Sequence, residues 1–204
     1  MSSLLTFPST DKRHAWWQVT AVALCANAAN IVGSGSFGGD TDYFEHLKKP
    51  SISPPAWSFA PVWAFNHVTS AWANARILGA PAHTPHRSTI LGLEALNWGL
   101  FASFGWMYFR KRSPTLGAAN TALACATSLA SAALTARVDR RSAALLVPRC
   151  AWLGLATYVS VCVARDNPDG LFTGSLVASD LPQNTSHSEH ETRGGHPTQS
   201  VSTG

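Results

Sequence analysis

A chemical reading of this chain starts from Glu94 and Arg149, because each interrupts a long run that is otherwise free of formal charge. An ionisable side chain at membrane depth is costly, so it faces a bundle interior or water and finds a partner. Two pairings are open: Glu94 with Arg149, or Arg149 with a ligand carboxylate, which a guanidinium grips with two parallel hydrogen bonds. A third reading has Arg149, about six residues into its run, reaching out to lipid headgroups. His67 and Ser70 follow Trp63 at i+4 and i+7, one helical stripe. Trp152, Ala156 and Val159 form a second stripe with Arg149 one turn earlier, and Glu94, Asn97 and Trp98 share a third face. Taken by themselves, the Trp and Ala residues of these stripes read as packing between helices. No catalytic residue is expected: His67 is the only acid–base candidate, and a hydrogen-bonded interior histidine is the plainer reading. Cys25, Cys125, Cys150 and Cys162 lack metal-ligand spacing and read as small buried apolar residues. His187-Ser-Glu-His190 reads as solvated chain rather than a metal site. Neither a metal nor a cofactor is therefore expected.

These stripes need helices to carry them. The 204 residues include 15 basic and 11 acidic ones, 13% of the chain, about half the share of a soluble domain. The windows 14–39, 50–75, 88–109, 113–136 and 142–164 hold two of those charges, Glu94 and Arg149. Each window has the roughly 20 residues a helix needs to cross a bilayer core, where backbone groups must be satisfied within the segment. The pattern predicts an all-α integral membrane protein, a multi-pass bundle of five transmembrane helices near 16–34, 57–77, 88–109, 114–136 and 143–163. It argues against a soluble enzyme core. Pro54 and Pro55 suit the first turn of the second helix, whereas Pro61 is expected to kink it or free a carbonyl. Ala118, Ala122, Ala126 and Ala130 form a small-residue stripe that allows close helix approach.

Flanking segments complete the organisation: a polar stretch at 1–15, the membrane domain at 16–164 and a disordered polar tail at 165–204, which carries the Asn184-Thr-Ser sequon. Lys12-Arg13, an apolar core and Ala26-Asn27-Ala28 resemble a cleavable signal, but the run continues through Ile31 and Val32, which favours a retained span. Basic residues divide almost evenly between the two ends, so orientation stays open. The pI near 9.1 comes from short basic loops, above all Arg110-Lys111-Arg112. Those suit membrane lipid rather than nucleic acid.

Three motifs carry a resemblance. They are Lys49-Pro-Ser-x-x-Pro-Pro-x-Trp-x-x-x-Pro-Val-Trp63, Leu96-Asn-Trp98, and Leu146-Val-Pro-x-x-Ala-Trp-Leu-x-x-Ala-Thr157 with Arg165-Asp-Asn167 closing it. In this order, on three separate spans, they resemble the TspO/MBR family of tryptophan-rich sensory proteins and translocator proteins, over about Tyr43 to Asn167. The resemblance implies five transmembrane helices around a pocket, a homodimer, and a porphyrin or other apolar small-molecule ligand. Positions matching the family's ligand contacts are Ala60, Val62, Trp63, Asn97, Leu116, Ala119, Leu123, Trp152, Ala156 and Val159, to which the stripes add His67 and Arg149. This chain departs from the family where His67 and Arg149 replace tyrosines and where Val159-Ser160 replaces a Leu-Asn pair. It departs again where Leu100 and Phe101 stand in place of an extra tryptophan.

The resemblance implies a membrane receptor or binding protein for porphyrins or related apolar ligands such as sterols, one that transports them or regulates their level. Sterols rank below porphyrins, because Leu155, Tyr158 and Arg165 miss the weak sterol pattern by one residue of spacing. Two alternatives remain: a light-dependent porphyrin-degrading enzyme, and an ion-coupled small-molecule transporter built on Glu94 and Arg149. An odd number of spans without evident inverted repeats counts against the transporter.

Overall fold

A computed structural model describes residues 10–35, 41–169 and 171. The signal-like start of the first run, the sequon and the His187–His190 pattern lie wholly or partly outside them. The described residues form helices α1 (Thr10–Ser34), α2 (Thr41–His46), α3 (Phe59–Leu78), α4 (Arg87–Gly105), α5 (Pro114–Val138) and α6 (Arg140–Asp166). The five long ones correspond to the five expected spans, with α1 starting ahead of residue 16. By length and composition α5 and α6 are the two described helices apolar enough to cross a membrane.

The five long helices close a ring, α1 against α3, α3 against α6, α6 against α5, α5 against α4 and α4 back against α1, with α3 also touching α4 across it. Small residues set the closest approach. A Cβ on Gly105 would lie against the carbonyl oxygen of Asn30 and 2.9 Å from Ser34 N. The Asn30 side chain uses that proximity, its Oδ1 accepting from the Gly105 N–H at 2.8 Å. Bulky apolar side chains point outward instead: Trp17, Leu24, Phe65, Val68, Leu129 and Val161 are all exposed. The interior holds Asn66, Ser70, Asn97, Ser128, Ser131 and Ser142. Inward polarity with outward bulk is the arrangement expected where lipid, not water, bathes the surface and helices are held by packing and hydrogen bonds.

Helix ends follow local rules. Ser113 caps α5, its Oγ accepting from Leu116 N at 3.2 Å, and Pro114 occupies the first turn where no N–H is needed. Asp139 alone separates α5 from α6. Its N–H closes α5 on Thr135 O (2.8 Å) while its side chain accepts from Arg141 N (3.0 Å) to open α6. Pro61 does not kink a span. The α-helix begins at Phe59, after a 3-10 turn at Ala56–Ser58 that Pro55 precedes, so Pro61 lies in the first turn. The interior proline is Pro148 in α6, one residue before Arg149. The Ala118 to Ala130 stripe also differs from its expected role: Ala118 is buried but Ala126 and Ala130 are exposed. A spacing of four drifts around a helix of 3.6 residues per turn.

The start of the expected tail is tied to the bundle. Asn167 Oδ1 accepts from the Lys48 N–H (2.8 Å), and its Nδ2 donates to the carbonyls of Lys48 (2.9 Å) and Val163 (2.9 Å). Asp169 Oδ2 accepts from Ser113 Oγ (2.7 Å) and Thr115 N (3.0 Å) at the start of α5.

Candidate functional site

The ring of helices encloses a cavity of about 690 Å³ in the half of the bundle nearest the α2–α3 connection. Its inner end is set by Ser70, Asn97 and Arg149, and its outer end by Glu45, Trp57 and Phe109. That volume lies within the range of small-molecule sites.

Below the inner end, the charged pair is closed. Arg149 Nη1 donates to Glu94 Oε2 at 2.8 Å and Nη2 to Oε1 at 2.5 Å, with the two residues 5% and 3% exposed. Ser131 Oγ donates to Glu94 Oε1 at 2.6 Å, so three helices meet on one carboxylate. The pairing of Glu94 with Arg149 is therefore the arrangement observed, and the headgroup reading of Arg149 fails. Its position on the inner face of α6 and its reach toward α4 leave it no path to the surface. One turn outward, Asn97 Oδ1 accepts from Thr127 Oγ1 (3.1 Å) and Ser128 Oγ (2.9 Å), while Nδ2 donates to Leu93 O (3.0 Å).

Aromatic rings form the wall above. The His67 ring lies 4.4 Å from Phe101 in an edge-on contact, 5.1 Å from Trp98 and 5.4 Å from Trp63. Asn27 Nδ2 donates to its Nδ1 at 3.2 Å and to Ala23 O at 2.8 Å, which fastens α1 to α3. Trp152 meets Phe59 edge-on at 5.4 Å, and Phe59 meets Phe44 at 5.5 Å. At the outer end Tyr108 stacks on Phe104 at 5.2 Å, and Lys49 Nζ sits 4.4 Å over the Phe44 ring.

Among the residues expected from sequence, Ala60, Trp63, His67, Asn97, Arg149, Trp152, Ala156 and Val159 line this cavity. Val62, Leu116, Ala119 and Leu123 do not. Val62 is turned roughly 100° from Trp63 along the helix. On α5 the cavity stripe is Asn120, Thr121 and Ala124, while Ala119 and Leu123 are exposed on another face. Sequence reasoning missed Asn27 and Asn30 of α1, Phe101 and Phe104 of α4, and Tyr108 in the π-helical turn Trp106–Arg110 that follows α4, all of which line the cavity. For the asparagines the signal was present: polar side chains one turn apart in an apolar run face an interior.

Comparison with known proteins agrees with the geometry. The TspO/MBR family matches residues 20–165. The tryptophan-rich protein TspO of Chlorobaculum tepidum is 29% identical over 160 residues, 74% of this chain and 98% of its own length. The translocator protein of Sus scrofa is 27% identical over 142 residues, covering 69% of this chain and 81% of its own. The translocator protein of Homo sapiens is 26% identical over 160 residues, covering 74% and 91%. With the family match spanning every long helix of the ring and the cavity inside it, the chain belongs to the TspO/MBR family of membrane proteins.

Proposed function

We propose that this chain is a five-span membrane receptor whose cavity takes a flat, largely apolar ligand of the tetrapyrrole class, ahead of sterols, and that it transports the ligand or regulates its level. The observation that carries the reading is the 690 Å³ cavity walled by Trp63, His67, Phe101 and Trp152, with small Ala60 and Ala156 leaving space between rings. Stacking surfaces and small gaps bind a disc through dispersion and desolvation. Family membership supports a role in binding at a membrane. Crossing by α1, α3 and α4 rests on their place in the ring beside α5 and α6, and on their outward apolar side chains. A homodimer is proposed on the exposed outer face of α5, where Ala119, Leu123, Ala126 and Leu129 offer small and apolar surface.

Titration of the detergent-solubilised protein with protoporphyrin IX, followed by tryptophan quenching in the dark, tests the reading. Saturable binding is expected, weakened at least about tenfold by Ala156→Trp, which fills the gap between rings. Quenching that never saturates and is the same in both proteins would remove the tetrapyrrole assignment. Loss of porphyrin absorbance on illumination would move the reading to the degrading enzyme.

A further inference from the structure

The free hydrogen-bonding capacity at the inner end of the cavity is mostly that of donors, two N–H groups beside a hydroxyl. Arg149 gives Nη1 and Nη2 to Glu94, and its buried Nε has no partner among the described residues. Ser70 is 1% exposed, and its Oγ likewise has none. His67 accepts at Nδ1 from Asn27, so the neutral ring carries its proton on Nε2, which is buried and unpartnered. All three residues line the same cavity. They also fall at similar depth, because α3 and α6 run antiparallel, with Phe59 beside Trp152 at one end and Arg76 beside Ser142 at the other. Acceptors at this depth are already engaged. Both Glu94 oxygens take Arg149, one of them Ser131 as well, and Asn97 Oδ1 takes Thr127 and Ser128. Two N–H donors and one hydroxyl thus line the inner end of the cavity with no partner among the described residues.

Charge decides which acceptor fits. Glu94 neutralises Arg149 and occupies the two N–H groups that would otherwise fork onto a carboxylate. An incoming carboxylate would be an uncompensated buried charge, the costly case in a low-dielectric interior. A carbonyl oxygen adds no charge, offers two lone pairs, and brings no donor of its own to crowd the three already there. A hydrocarbon of the same shape would strip the donors of water and return nothing.

We propose that His67, Ser70 and Arg149 form an inner subsite that reads an uncharged, carbonyl-type oxygen on an otherwise apolar ligand, with Glu94 keeping the subsite neutral. The assignment rests on the receptor reading above, and one experiment separates the two. Affinities of 9-fluorenone, fluorene and fluorene-9-carboxylate are measured in detergent for the full-length wild type, Ser70→Ala and His67→Phe. Partition into micelles cancels in the ratio between wild type and variant. The wild type is expected to prefer the ketone over the hydrocarbon by about tenfold, and over the carboxylate as well. Each variant is expected to lose several-fold of the ketone-to-fluorene affinity ratio. Ser70→Ala removes a single oxygen, so it reports even where His67→Phe does not fold. A ketone-to-hydrocarbon ratio identical in wild type and variants would overturn the subsite and leave the receptor standing. Tightest binding of the carboxylate would overturn its neutral character. No binding of any of the three would remove both.

Discussion

The two halves of the helical ring are built from the same five helices and do opposite things with polar side chains. In the half that holds the α5–α6 turn, side chains satisfy one another. Arg76 Nη2 donates to Asp139 Oδ2 at 2.7 Å, Ser142 Oγ donates to the same oxygen at 2.7 Å, and Glu94 gathers Arg149 and Ser131. In the other half polar side chains still pair between helices, as Asn27 does with His67 and Ser113 with Asp169, but they leave a cavity between them. Helices in lipid gain nothing by hiding apolar surface from each other, so polar pairs and close packing must do the holding. A ligand can be admitted only where that holding is released, and the boundary falls at the level of Arg149, whose Nη atoms belong to one half and whose Nε faces the other.

The comparison breaks first at the pair itself. Arg149→Leu strands Glu94 and is expected to cost about 3–5 kcal/mol, read as a large drop in thermal midpoint in detergent. The double change Glu94→Gln with Arg149→Met should recover much of that loss, and an equal loss in both would show that the pair does not hold the closed half. Next comes the α1–α4 contact. Gly105→Ala should destabilise by about 1–3 kcal/mol through overpacking against Asn30. Gly99→Ala on the same helix, where a Cβ meets nothing within 4 Å, is the silent control. The smallest effect is at Asp139. Burial pushes its carboxyl up, but hydrogen bonds from Ser142, Arg76 and the Arg141 N–H outweigh it and hold it below the usual carboxylate value. A group lowered on folding contributes stability that is complete above its unfolded pKa and is lost as pH falls through the folded one. Thermal midpoints should therefore decline below about pH 4, and Asp139→Asn should flatten part of that decline.

The all-helical class, the order of the long helices and part of the cavity wall were legible in the sequence because charge is excluded from long apolar runs and aromatic stripes repeat at helical spacing. Trp63, His67, Trp152 and Ala156 fall on their stripes for that reason. Two things were not legible. The phase of α5 was misread through its alanines, when Asn120, Thr121, Thr127, Ser128, Ser131 and Thr135 are its buried side. Against lipid the polar stripe, not the apolar one, marks the interior. The partner of Arg149 stayed open because sequence spacing relates residues within one helix, whereas Glu94 reaches it only through the ring closure of α4, α5 and α6.

Asn167 joins residues 119 positions apart in the chain, fastening Lys48 and with it the connection that supplies Pro54, Ala56 and Trp57 to the cavity's outer end. Two of its three hydrogen bonds go to Lys48, outside the cavity wall, and the third only to the backbone carbonyl of Val163, so the clasp fixes no side chain of the wall and adds little to how tightly a ligand is held once inside. It bears on time instead. Lifting the connection means breaking both Lys48 bonds together, which slows arrival and departure alike. With Asn167→Ala, stopped-flow release of a bound porphyrin should quicken several-fold while the equilibrium constant barely moves. On the proposed reading, the end of α6 would then serve as a timer for the bound ligand.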